Sequence, residues 1–166
     1  MDAFQKLASL KTLLIDDNEI IRDTLTMVFA YKKCFIKSVA TAEEGLHTLE
    51  GERFDIIICD FSLPGINGAE FFSRIMASYP NTVKVLISGY AGENTITRAL
   101  ETGVDAFIRK PFSLLALLEQ LIPLVEKHRA VKGSRRHSQE KKTPFKIQKE
   151  LNPREIKEEQ SVLSCG

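Results

Sequence analysis

Asp55-Ile56-Ile57-Ile58-Cys59-Asp60 is the stretch from which the fold can be read. It is a short apolar run that does not alternate with polar residues. Both of its faces must therefore be covered, as for strands of a parallel sheet with helices on either side. Val83-Lys84-Val85-Leu86-Ile87 reads in the same way. With them, residues 12–16, 35–40, 55–60, 83–88 and 106–109 make five strand candidates separated by stretches of helical period. That alternation specifies an α/β fold.

The helices between them are marked by their caps. Asn18 caps a helix carrying Ile21, Leu25, Val28 and Phe29; Thr41 caps another, with Glu44 completing a capping box. Asn67 opens a third, and the fifth starts after Pro111 with Ser113 as its cap. The fourth, over residues 94–101, is the weak one. Gly89 and Gly92 precede it, and Thr95, Ile96 and Thr97 form a β-branched run of poor helix propensity, so it is expected to move easily. In the fifth helix Leu114, Leu115, Leu117, Leu118, Leu121, Ile122, Leu124 and Val125 fill an arc of roughly 180°, wider than the roughly 100° a core-facing helix needs. The surplus reads equally well as a partner surface or as a broad contact with sheet and neighbouring helix. Pro123, on the polar side, is expected to kink or fray the last turns.

Composition sets the outer limits. The 166 residues, 43% hydrophobic and 27% charged, match one ordinary globular domain plus a tail. No apolar run is long enough to span a bilayer, and the first thirty residues lack the order of a signal peptide, so a cytoplasmic location is expected. Cys34, Cys59 and Cys165 have neither disulfide nor zinc spacing and read as reduced thiols, Cys59 as a small buried hydrophobe. The net charge of +1 conceals two segments: residues 1–126 hold 12 Lys/Arg against 17 Asp/Glu, and residues 127–166 hold 11 against 5. A domain over 10–128 and a basic, disordered tail over 129–166 are expected, and Asn152-Pro153-Arg154-Glu155 marks a short helix near 153–163 as the alternative to plain disorder there. Some 40 residues are too few for a winged-helix output domain, and no helix-turn-helix pattern is present.

In an open parallel sheet the carboxyl ends of the strands converge on one crevice, where such folds bind ligands. That edge is acidic here. Asp16 and Asp17 end the first strand and Asp60 the third; Ser88 ends the fourth and Lys110 follows the fifth. Carboxylates this close repel unless a cation joins them, and a hard oxygen-rich site suits Mg2+ with phosphate oxygens, which points to metal-assisted phosphoryl chemistry. No Gly-x-Gly-x-x-Gly follows the first strand, which excludes a dinucleotide site.

Asp16-Asp17, the stretch Asp60-Phe61-Ser62-Leu63-Pro64-Gly65-Ile66-Asn67-Gly68, Ser88-Gly89 and Lys110-Pro111-Phe112 together resemble the receiver domains of two-component response regulators, of the stand-alone, chemotaxis-regulator-like kind. The resemblance covers roughly residues 10–127. It implies a doubly wound, flavodoxin-like five-stranded parallel sheet of order 2-1-3-4-5 with five helices. It makes Asp60 the phosphoacceptor, with Mg2+ held by Asp16, Asp17, Asp60 and the Ser62 carbonyl, and Lys110 paired with the transferred phosphoryl group. Ser88 would then bond a phosphoryl oxygen, with Phe107 and Tyr90 as switch residues. Many family members have Thr and Tyr at the positions of Ser88 and Phe107; Phe107 lacks the hydroxyl, which puts in doubt any signal that needs one. Lys110-Pro111 would be cis by resemblance, whereas an X-Pro bond taken alone is expected to be trans.

The implied partners are a sensor histidine kinase or phosphotransfer protein, a downstream protein, and a second copy in a phosphorylation-dependent homodimer, for which an exposed part of the Leu114, Leu117, Leu121, Leu124 row would supply apolar area. The protein would be a self-phosphorylating and self-dephosphorylating acceptor rather than an enzyme acting on others. Two other readings compete. A nucleic-acid-binding regulator using the basic tail would show marked salt dependence. A hydrolase with an aspartyl-phosphate intermediate would ordinarily have an acid two residues after the nucleophile, where Ser62 stands.

Overall fold

The computed structural model describes residues 3–89, 97, 101 and 103–140. Its elements are α1 (Ala3–Leu7), β1 (Lys11–Ile15), α2 (Glu19–Tyr31), β2 (Phe35–Val39), α3 (Ala42–Gly51), β3 (Ile56–Asp60), α4 (Gly68–Ile75), β4 (Val83–Ser88), β5 (Ala106–Arg109) and α5 (Leu114–Glu140). The chain divides into Met1–Ser134 and Arg135–Gly166; of the second unit only residues 135–140 are described, and they are helical. The tail helix expected near 153–163 lies outside the described residues.

The five strands form one sheet in the order β2-β1-β3-β4-β5, every pair parallel. The doubly wound fold is as expected, because β3 and β4 are buried along their whole length. Alternation divides their side chains between two cores. Ile56, Ile58, Val85 and Ile87 join Leu14, Leu25, Phe29, Leu117 and Leu121 on one face. Ile57, Cys59 and Leu86 join Leu13, Ile15, Phe71 and Phe72 on the other. Each fully buried aromatic or aliphatic side chain contributes about 1.5–3 kcal/mol.

The caps behave as their sequence indicates. The side chains of Asn18, Thr41, Asn67 and Ser113 accept from the backbone N–H of Ile21, Glu44, Glu70 and Ala116, and Glu44 accepts from Ala40 N. Of the helix expected over 94–101, Thr97 and Glu101 are described and both are helical; the rest lies outside the described residues.

Three features differ from the sequence reading. The helix α1 lies before residue 10, where the domain was expected to begin. Its Phe4 and Leu7 are buried, Phe4 edge-on to Phe29 with ring centroids 5.8 Å apart. Two apolar residues in a five-residue helix make too weak a local pattern, and packing stabilises it. At the other end α5 continues through Pro123, where a kink or frayed last turns were expected, and is helical to Glu140, with buried Leu121 and Val125 anchoring it on either side of the proline. Finally, the wide apolar arc of α5 is mostly core. Leu117 and Leu121 are 0% exposed, and Leu114, Ile122 and Leu124 pack against the same cluster. The Leu114, Leu117, Leu121, Leu124 row is therefore no free association surface, because α5 closes a core that also takes in α1 and α2. Leu115, 65% exposed, is the apolar residue left outside.

Candidate functional site

The strand order makes β1 and β3 neighbours, with Ile15 paired to Cys59, so the residues that follow them in register, Asp16 and Asp60, meet at one end of the sheet. This is the point where the strand order reverses and where doubly wound folds open a crevice. Asp16 is fully buried and Asp60 nearly so, while Asp17 is exposed. One carboxylate oxygen from each of the three lies within 4.8 Å of the others.

Lys110 enters from the end of β5, its backbone N–H bonded to Ser88 O at 2.8 Å. Its Nζ donates to Asp60 Oδ2 at 2.6 Å and stands 2.8 Å from Asp16 Oδ2. The second approach is a charge contact without hydrogen-bond alignment, so Asp16 Oδ2 is a buried carboxylate oxygen that receives no hydrogen bond. Asp16 Oδ1, by contrast, accepts from Asn18 N at 2.9 Å, and Asp60 Oδ1 from Ser62 N at 3.2 Å.

Burial raises the Asp16 pKa above the ordinary aspartate value and outweighs the opposing pull of the Lys110 ammonium and of the hydrogen bond from Asn18 N–H. For Lys110, burial pulls downward, but the two carboxylates of Asp16 and Asp60 beside its ammonium hold its pKa above the ordinary lysine value. The Cys59 thiol, buried beside Asp60 and Asp16, is pushed well up, so it is not a thiolate nucleophile and stays a core residue.

The predicted residues Asp16, Asp17, Asp60 and Lys110 are thus together. Ser88, fully buried, ends β4 next to the strand carrying Asp60; Ser62 is exposed on the loop after β3. Phe107 is half-buried on β5, packed against the second core cluster, and Tyr90 lies outside the described residues. The Lys110-Pro111 bond is cis, as the resemblance implied and the residue pair alone did not.

Sequence reasoning passed over Arg22, whose Nη1 donates to Asp16 O at 2.8 Å. The signal was its place in the first turns of α2, from which a long side chain points back toward the helix N-terminus. Beside the acids, α2 and the segment after β5 leave an apolar groove of about 520 Å3, lined by Ile20, Ile21, Thr24, Phe112 and Leu114 and reaching Lys110 and Gly89.

The fit of a divalent cation rests on Asp16 Oδ2. An oxygen buried, ionisable and without an aligned hydrogen bond, beside two further carboxylates, is the hard donor set that Mg2+ takes, and the Lys110 ammonium 2.8 Å away holds its charge meanwhile; Asp17 and Ser62 at the rim are exposed. The residues present fit the ion.

The response regulator receiver domain pattern matches residues 12–122. The C4-dicarboxylate transport transcriptional regulatory protein DctD of Rhizobium meliloti is 29% identical over 128 residues, 77% of this chain and 28% of the relative. A cyclic di-GMP phosphodiesterase of Thermotoga maritima is 31% identical over 103 residues, 61% of this chain and 27% of the relative. The chain thus spans about a quarter of the length of these relatives. The crystal structure of a CheY-like response regulator receiver domain protein from Methanospirillum hungatei JF-1 superposes with a TM-score of 0.69 at 31% identity, over 74% of this chain and 98% of that one. Sheet order, acid cluster and sequence pattern converge, and the chain belongs to the receiver domain family of two-component response regulators.

Proposed function

We propose that Asp60 is the phosphoacceptor of this receiver and that the chain relays its phosphorylation state through protein contacts. The carrying observation is the Lys110 ammonium held between Asp60 and Asp16, 2.6 and 2.8 Å away, at the floor of an acidic crevice. Phosphoryl transfer mainly requires alignment and neutralisation of spreading negative charge, and this arrangement offers both. An Asp60 carboxylate oxygen attacks the phosphorus of a phosphohistidine on a sensor histidine kinase or phosphotransfer protein. The P–N bond breaks and the imidazole leaves with the electron pair. Lys110 then exchanges a carboxylate oxygen for a phosphoryl oxygen as its partner, and the Ser88 hydroxyl bonds another.

Receiver domains take Mg2+ at an acidic pocket, and here Asp16, Asp17, Asp60 and the Ser62 carbonyl would hold it. Bound there, the ion supplies positive charge against the carboxylates and the incoming phosphoryl oxygens. The groove between α2 and Phe112 ends at Lys110, which suits it to receive an apolar helix of the donor. Departure of Lys110 from its resting pairs is the local change that Phe107 and Tyr90 pass to the face formed by β5 and α5. A downstream protein or a second copy would dock there, on Leu115 and the polar positions around it rather than on buried Leu117 and Leu121. Self-dephosphorylation and a cytoplasmic location complete the reading; no helix among the described residues is long and apolar enough to cross a membrane.

The test is labelling by a small-molecule phosphodonor with Mg2+, read by intact mass. One phosphoryl group is expected on the wild type, and none on Asp60→Asn, whose amide is a poor nucleophile, or in excess chelator. Undiminished labelling of Asp60→Asn overturns the assignment; undiminished labelling in chelator overturns the metal role.

A further inference from the structure

The loop between β3 and α4 carries Ser62 at its start, and several of its hydrogen bonds lie near its two ends. Phe61 N–H donates to Ile87 O at 2.7 Å, Ser62 N–H to Asp60 Oδ1 at 3.2 Å and Gly68 N–H to Phe61 O at 3.0 Å. The far side of the loop turns at Gly65, whose φ of +75° a side-chain-bearing residue rarely adopts. There one carboxylate from another element intervenes. Glu43, in the first turn of α3, accepts from Ile66 N–H through Oε1 at 3.1 Å. The same oxygen is seated so closely against Gly65 that a Cβ there would lie 2.6 Å from it. Among the described residues, Glu43 is the side chain whose hydrogen bond ties this loop to α3.

We infer that Glu43 is a positioning residue for the acid cluster, holding the Gly65–Ile66 turn so that the Ser62 end of the loop is ordered before a metal ion arrives. The inference rests on the reading of the Ser62 carbonyl as a ligand and goes beyond it, because Glu43 touches neither metal ligands nor phosphoryl group. Its physical basis is preorganisation. Fixing one backbone residue costs about 1–2 kcal/mol, and a loop ordered in advance spares the bound state that cost. A hydrogen bond to an ionised acceptor is stronger than one to a neutral acceptor. The bonds from its own N–H and from Ile66 N–H hold the Glu43 carboxyl below the usual glutamate range, so it is ionised at neutral pH. Glu43 is solvent-exposed, and its removal leaves both hydrophobic cores intact.

The test compares wild type, Glu43→Ala and Glu43→Gln, full-length and metal-free at the start, by calorimetric titration with MgCl2 and by amide hydrogen exchange. Glu43→Ala is expected to bind Mg2+ roughly three- to tenfold more weakly, the fold-change of losing one hydrogen bond. The Ile66 amide should exchange faster in it before any metal is added. Glu43→Gln keeps the acceptor oxygen but loses its charge, and its affinity and Ile66 exchange are expected to fall between those of wild type and Glu43→Ala. Equal losses in Ala and Gln would show that the charge of Glu43 acts through space, and would overturn the tether. Unchanged affinity in Glu43→Ala, unchanged Ile66 exchange, or a wild type that binds no Mg2+ would also overturn it. The readouts separate this inference from the phosphoacceptor reading. A wild type that binds Mg2+ more tightly than Glu43→Ala but takes no phosphoryl group keeps the tether and loses the acceptor; normal labelling with identical affinities does the reverse.

Discussion

Two glycine-to-alanine substitutions should change stability in opposite directions, for a reason visible only in three dimensions. Gly68 begins α4 directly behind Asn67, where the helix approaches the end of β3. A Cβ at Gly68 would lie 2.3 Å from Asp60 O and 2.9 Å from Leu86 Cδ1. An ordinary carbon–oxygen contact is about 3.3 Å, so α4 must retreat from β3 by roughly 1 Å, and the obstructing oxygen, being backbone, cannot rotate away. Overpacking of this kind costs about 1–3 kcal/mol. With roughly 2–4 °C of Tm per kcal/mol in a chain of this size, Gly68→Ala should melt about 2–12 °C lower. It should also take phosphoryl more slowly, since the obstructed atom belongs to Asp60. Gly51, at the end of α3, has nothing within 4 Å of the corresponding position. There alanine removes only the entropic weakness of glycine in a helix, about 0.5–1 kcal/mol, and Gly51→Ala should melt about 1–4 °C higher. Thermal unfolding followed by far-UV circular dichroism gives both numbers. A Gly68→Ala protein as stable as wild type, or shifts of the same sign in the two variants, would refute the close-approach argument.

Asp16→Asn should stabilise the metal-free protein at neutral pH. The folded-state pKa of Asp16 is raised, so the folded chain holds more protons than the unfolded chain in the window from about pH 4 up to that raised value. Stability from this group therefore falls as pH rises through the window, and the asparagine variant lacks that loss. Denaturant unfolding across pH 4–8 without metal checks it, and a variant less stable than wild type at pH 7 would count against the burial cause; added Mg2+ should stabilise wild type and leave the variant nearly unmoved. His128→Ala should lower Tm by about 2–6 °C, because the imidazole lies between two acceptors, Asn81 O at 3.3 Å and Asp105 Oδ1 at 3.1 Å, donates to one of them when neutral and to both when protonated, and so pins α5 to the opposite end of the sheet from the acids. A shift below about 1 °C would mean those bonds contribute nothing net.

Much of this molecule is legible along the chain because the relevant forces are local. The unbroken apolar run of residues 56–59 demands cover on two faces whatever lies elsewhere, and the structure buries all of β3. The caps Asn18, Thr41, Asn67 and Ser113 act within three residues of themselves, and acids placed directly after apolar runs must emerge at strand ends. What only the tertiary structure decided involves partners far apart in sequence. Whether an apolar arc on α5 is core or surface depends on α1 and α2 arriving from the other end of the chain, and Leu117 and Leu121 are 0% exposed for that reason. The burial that raises Asp16, the insertion of Lys110 between two carboxylates, and the bond from Ile66 to Glu43 join residues 23 to 94 positions apart. No local propensity encodes such distances. They follow from a strand order that places β1 beside β3, and from the packing that brings β5 and α3 to the same edge.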